Sequence, residues 1–123
     1  MKNRTILLAG AIFMALAVLL GAFGAHALKK VLAPDMLVIY KTGVEYQFYH
    51  ALGLLLIGVI GFHIRSKYIQ WAGLFISIGI IIFSGSLYVL TLSGIKALGA
   101  ITPIGGLSFV AGWIFLAITI WKR

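Results

Sequence analysis

Residues 69–92 read IQWAGLFISIGIIIFSGSLYVLTL and contain no charged side chain. As an α-helix this run measures about 36 Å, which exceeds the roughly 30 Å of hydrocarbon in a bilayer. Three further apolar runs, at residues 5–27, 44–64 and 100–121, are also long enough to cross a membrane. The sequence therefore predicts an all-α integral membrane protein with four spanning helices.

The composition agrees with a membrane protein and excludes several other classes. The 123 residues allow a single domain, and they are 63% hydrophobic and only 10% charged, too apolar for a water-soluble domain. The chain has no cysteine, which excludes disulfides, thiolate metal sites and cysteine nucleophiles. The net charge of +8 lies in short loops and caps, where it favours contact with lipid headgroups rather than nucleic acid.

The connections between the spans predict an antiparallel four-helix bundle. The turns at residues 65–68 and after residue 92 are short, so the helices that they join must run in opposite directions. The connection at residues 28–43 is longer, and Pro34 and Asp35 suit the first turn of a helix. Because Leu37, Val38 and Tyr40 make that helix amphipathic, we expect a short interfacial helix between the first and second spans.

The basic residues predict the orientation. Six of them fall on the side that holds both termini and four fall on the other side, so we expect both termini in the cytoplasm of a bacterial cell. Ala25-His26-Ala27 resembles a signal-peptide cleavage site, but the preceding apolar run exceeds the usual length of a signal peptide. We therefore expect an uncleaved first helix in the cell membrane.

Polar side chains of all four predicted helices converge in the half of the bundle away from the termini. Buried polar groups are costly in lipid, so these side chains should face one another or water. In that half they are candidates for binding a ligand or handling protons: His26, Glu45, Tyr46, Tyr49, His50, Ser84, Ser86, Tyr88 and Thr102.

Each functional interpretation of these residues has a structural alternative. His26 and His50 are candidate ligands of a metal or haem iron, but hydrogen bonds to neighbouring groups are the favoured role, and we expect no cofactor. Glu45 could couple to protons, although an acid near a helix N-terminus is favoured by the helix dipole alone. Ser84-Gly85-Ser86 lacks the G-x-S-x-G frame of a nucleophile elbow, so we do not expect an enzyme.

Small residues form stripes that predict close contacts between helices. On the first helix Ala11, Ala15, Ala22 and His26 share one face, while glycines mark a second. The positions predicted to mediate helix packing are Gly21, Gly24, Gly53, Gly105 and Gly112.

Four motifs resemble a known family. They are GAFGAHAL at residues 21–28, EYQFYHAL at 45–52, FSGSLY at 83–88 and GAITPIGG at 99–106, the last followed by Gly112-Trp113. In this order they resemble a small bacterial membrane-protein family of unknown function that is related to eukaryotic transmembrane protein 256. The resemblance implies four membrane helices and supplies no reaction.

We therefore expect a non-enzymatic membrane component that contacts the lipid bilayer and self-associates or supports a membrane-protein partner. The alternative is a small transporter or channel that carries a solute or protons past His26, Glu45, Tyr46, Tyr49 and His50. Against it, the first helix has no acid in mid-membrane, where four-helix drug exporters of this size typically place one. A metal or haem site on His26 and His50 is a further alternative, and a lipid-modifying enzyme is another.

Overall fold

The computed structural model describes all 123 residues and consists of helices joined by short turns, without a strand. Four helical spans are long and apolar enough to cross a membrane, which confirms the predicted all-α membrane bundle. The third span consists of α3, a five-residue π-helical segment at Ile80–Ser84 and α4. Short 3₁₀ turns at Leu28–Lys30 and Lys96–Ala100 precede α2 and α5. The five α-helices are α1 (Asn3–His26), α2 (Pro34–His63), α3 (Lys67–Gly79), α4 (Gly85–Ser93) and α5 (Thr102–Trp121).

One element differs from the prediction, because the interfacial helix is not separate. Residues 34–43 form the first turns of α2, which continues through Gly43 without a break. Gly43 lies under the ring of Tyr88, so a Cβ at this position would clash with that ring. Gly43, the predicted boundary, thus lies inside a continuous helix, where its missing side chain makes room for the third span.

The helices pack in the order α1, α2, third span, α5. α1 packs chiefly against α2, and α5 packs chiefly against α3 and the π segment, so the first and last spans are the outer ones. Only 17% of the most apolar part of the first span is buried within the chain, compared with 44% for α2. The core lies between the two inner spans and draws one residue from α1 and one from α5: Ile6, Leu54, Ile57, Ile69, Ala72, Ile76, Ile80 and Phe109.

The contacts between helices show that neighbours are antiparallel. Asn3 at the start of α1 lies against Gly61 near the end of α2, and Gly24 near the end of α1 lies against Tyr40 near the start of α2. Both termini and the α2–α3 turn therefore share one end of the bundle, which we call the terminal end. The opposite end, with the other two connections, is the distal end.

The predicted packing glycines all face other elements of the same chain. Gly24 lies under the Tyr40 ring, Gly53 under the Trp113 indole and Gly105 against the backbone of Phe83. A Cβ on Gly112 would meet Ala72 O at 3.2 Å, and one on Gly21 would meet Val44 Cγ1 at 3.4 Å. Four of the five positions are therefore filled by neighbouring atoms of the chain, while Gly21 remains half-buried with a single ordinary contact.

Candidate functional site

The amide of Gln47 is the centre of a polar network in the distal half of the bundle. Gln47 is 3% exposed on α2, and its Nε2 donates to the Phe13 carbonyl of α1 at 2.8 Å. The Tyr88 hydroxyl of α4 donates to Gln47 Oε1 at 2.6 Å. One side chain thus joins three helices. Gln47 was not among the predicted site residues. An amide side chain in an apolar helix nevertheless needs hydrogen-bond partners for both its NH₂ group and its oxygen.

Two further hydrogen bonds extend this network toward the distal end. The Ser84 hydroxyl, in the π segment, donates to the Gly43 carbonyl at 2.7 Å. The Tyr40 hydroxyl donates to the Leu20 carbonyl of α1 at 2.6 Å. The rings of Tyr40 and Tyr88 lie 5.4 Å apart. Tyr40 is 1% exposed. It was not among the predicted site residues, because the sequence predicts a separate interfacial helix at this position.

His50 forms a second polar contact, between α2 and α5. Its Nδ1 lies 2.7 Å from the Tyr46 carbonyl, and its Nε2 accepts a hydrogen bond from Trp113 Nε1 at 3.1 Å. The imidazole stacks on Phe109 with ring centroids 3.6 Å apart. Both nitrogens are therefore engaged within the chain, which leaves no free lone pair for a metal ion.

The third polar contact joins the third span to the start of α5. The hydroxyl oxygens of Ser86 and Thr102 lie 2.6 Å apart, and the Ser86 hydroxyl also donates to the Phe83 carbonyl at 2.9 Å. Phe83 lies in the π segment, where widened helical turns change the direction of the side chains that follow. The hydrogen bond between Ser86 and Thr102 joins the third span to α5 directly after this segment.

The remaining predicted site residues lie outside these contacts. His26 and Glu45 are exposed, and neither forms a side-chain hydrogen bond within the chain. The side chains of Tyr46 and Tyr49 are 39% and 56% exposed, and the Tyr46 ring packs on Phe83 at 4.6 Å. The structure thus brings His50, Ser84, Ser86, Tyr88 and Thr102 into hydrogen-bonded contacts and leaves the other four at the surface.

The network is closed within the chain. No buried side-chain nitrogen or oxygen lacks a hydrogen-bond partner. No group of three or more histidine, aspartate or glutamate side chains is arranged to hold a metal ion. These hydrogen bonds hold neighbouring helices together within the membrane, where an unpaired polar group would be costly.

Comparison with known proteins adds the family. The family described as "Protein of unknown function (DUF423)" matches residues 20–106. The chain belongs to this family. No catalytic activity is assigned to the DUF423 family, and no solved structure matches the chain.

The relatives in this family are named as membrane proteins. The UPF0382 membrane protein SH2409 of Staphylococcus haemolyticus is 45% identical over 97% of this chain and 97% of its own. YwdK of Bacillus subtilis is 41% identical over 94% of each chain. The UPF0382 inner membrane protein YgdD of Escherichia coli is 39% identical over 96% of this chain and 90% of its own. With its four apolar spans, the chain is a multi-pass bacterial membrane protein of unknown activity.

Proposed function

We propose that this protein is a non-enzymatic membrane component that self-associates through an exposed row of small residues on α1. Ala11, Ala15 and Ala22 all lie exposed on the outer side of that helix. This row, which also includes the exposed Val18, carries the proposal because it remains exposed after the chain's own helices have packed.

The geometry of the row suits a contact between two copies. At 100° per residue, the three alanines fall within about 40° of one another around the helix. Small side chains let two backbones approach closely, and in lipid such packing is a main source of helix association. A two-fold axis would place the row against its own copy, which makes the surface self-complementary.

The serine contacts support a role without catalysis. The Ser84 hydroxyl is donated to a backbone carbonyl, and the Ser86 hydroxyl is shared with Phe83 and Thr102. Neither serine has a histidine or carboxylate as hydrogen-bond partner, so neither has the base that activates a nucleophile.

The closed network also supports a structural role over transport. A solute or proton passing through the distal half would have to compete with the bonds of Gln47, His50 and Tyr88. The exposed Glu45 and His26 take no part in those bonds. The polar groups are therefore better explained as hydrogen bonds that stabilise helix packing than as a transport pathway.

The test is energy transfer between labelled copies in liposomes. Because the chain has no cysteine, Lys96→Cys gives one labelling position on an exposed turn. We expect energy transfer in the parent protein to persist as the lipid-to-protein ratio rises. Ala15→Leu and Ala22→Leu should lower it severalfold, since a large side chain separates the two backbones.

The matched control is Ala117→Leu, an exposed alanine on the opposite outer helix, α5. This variant should keep the energy transfer of the parent. The proposal would be refuted if energy transfer in the parent fell with added lipid as it does for a monomer. It would also be refuted if Ala15→Leu and Ala117→Leu gave the same energy transfer.

A further inference from the structure

Tyr68, at the terminal end, lies beneath two lysine ammonium groups. The Nζ of Lys67 is 5.4 Å from the centre of the Tyr68 ring, and the Nζ of Lys122 is 5.1 Å from it. The two ammonium groups are thus at most 10.5 Å apart, the sum of those distances. Lys67 opens α3 and Lys122 follows α5, so one ring gathers cations from two spans.

The ring position itself is fixed by local structure. Ser66 caps α3, and its hydroxyl accepts a hydrogen bond from the Tyr68 backbone N–H at 3.1 Å. The ring of Tyr68 stacks on Phe115 of α5, with centroids 6.1 Å apart. The N-terminus of α3, which is the positive end of its dipole, therefore lies beside Tyr68 and adds to the positive charge of the two lysines.

An apolar groove begins at Lys122 and the Tyr68 ring, while Lys67, on the same ring, borders a separate groove. The groove at Lys122 has a volume of about 420 Å³ and continues along the outer face of α5. Trp121 is 90% exposed beside it. The groove thus has a cationic mouth at headgroup level and an apolar floor that extends into the membrane, and its lining residues are Tyr68, Ile114, Ala117, Ile118, Trp121 and Lys122.

No acidic side chain lies near the two lysines. The only acidic side chains, Asp35 and Glu45, both lie in the first half of α2, toward the distal end. Lys2, Arg4, Arg65 and Arg123 add further positive charge to the terminal end. An anion is therefore the missing complement of this mouth, and lysines near a membrane surface favour anionic lipid.

We propose that this groove is a binding site for an anionic glycerophospholipid. Its phosphate contacts the Lys122 ammonium group at the mouth of the groove, Lys67 adds positive charge beside the same tyrosine ring, and one acyl chain follows α5 past Ala117. A soluble phosphate would use the mouth and leave the groove empty, whereas a zwitterionic lipid would bring its own cation against the two lysines. The combined charge and shape thus select a lipid whose headgroup has a net negative charge.

The test is native mass spectrometry of the full chain with phosphatidylglycerol and phosphatidylcholine of identical acyl chains. We expect the protein to retain one phosphatidylglycerol in preference to phosphatidylcholine. Replacing both Lys67 and Lys122 by alanine should weaken that binding ten- to thirtyfold, since each lysine near the surface contributes about 1 kcal/mol. The matched control, Lys29→Ala with Lys30→Ala at the distal end, should bind as the parent does.

Two further measurements distinguish the contribution of the groove from that of the lysine charges. Ala117→Phe fills the groove and leaves both lysines, so it should also lose phosphatidylglycerol. Glycerol 3-phosphate, which has the phosphate without a chain, should not displace the lipid. Equal retention of the two lipids by the parent, unchanged binding after removal of both lysines or after Ala117→Phe, or displacement by glycerol 3-phosphate would overturn the proposal.

Discussion

The indole N–H of Trp113 on α5 donates a hydrogen bond to Nε2 of His50 on α2, with the two nitrogens 3.1 Å apart. An indole only donates, so Nε2 must accept and the ring proton must lie on Nδ1. The Tyr46 carbonyl, 2.7 Å from Nδ1, is the acceptor that this tautomer requires. One tryptophan thereby fixes the tautomer of a histidine from another helix.

Trp113→Phe should therefore destabilise the bundle by about 1–3 kcal/mol, because it leaves His50 Nε2 without its donor. The measurement is unfolding from mild detergent into dodecyl sulfate, followed by circular dichroism. The control is Trp121→Phe, since that indole is 90% exposed and its loss should be nearly neutral. In the parent protein, nitrogen NMR of labelled histidine should show the Nδ1–H form of His50. An Nε2–H form would contradict the assignment.

The Gln47–Tyr88 hydrogen bond predicts a coupled pair. Tyr88→Phe and Gln47→Leu should each cost about 0.5–2 kcal/mol, in the range measured for hydrogen bonds between membrane helices. Together they should cost less than the sum of the single changes, because each removes the same bond. A double-mutant cycle in the same unfolding assay measures this difference, and additive losses would show that the bond at 2.6 Å contributes nothing.

Two neighbouring glycines of α5 predict opposite responses to the same substitution. A Cβ on Gly105 would lie 2.8 Å from Phe83 Cα, whereas a Cβ on Gly106 would have no atom nearer than 3.9 Å. Gly105→Ala should thus cost about 1–3 kcal/mol by forcing α5 from the third span. Gly106→Ala should be neutral or stabilising by up to about 1 kcal/mol, because alanine favours the helix. Similar stabilities of the two variants would contradict this packing.

The hydrogen bonds of His50 predict that the protein purifies without a stoichiometric metal or haem. Elemental analysis and the visible spectrum measure this directly, and a chelator should leave the unfolding midpoint unchanged. His50→Ala should reduce stability, by about 1–3 kcal/mol, through the loss of two partly buried hydrogen bonds. A metal or haem band that disappears in both His26→Ala and His50→Ala would instead make the distal half a chemical centre.

The predicted polar residues show which features of the site follow from sequence patterns and which do not. Their convergence in one half of the bundle follows from helix direction alone, since each helix crosses the membrane once and reverses at a short turn. Pairing does not follow in the same way. Ser86 and Thr102 are both predicted candidates, but their 2.6 Å contact directly follows a π segment, which hydrophobicity does not signal.

Hydrophobicity, helix length and turn length are local properties, and by themselves they determined the membrane location, the four spans and their antiparallel order. Partners across helices depend on how each helix is rotated about its own axis, which the chain alone does not specify. The tertiary structure therefore decided that Gln47 is the junction of three helices, that Tyr40 is buried in a continuous α2, and that Gly10 and Gly24 of α1 face inward. It also decided that the polar half is closed, because only packed helices can bring each donor to an acceptor.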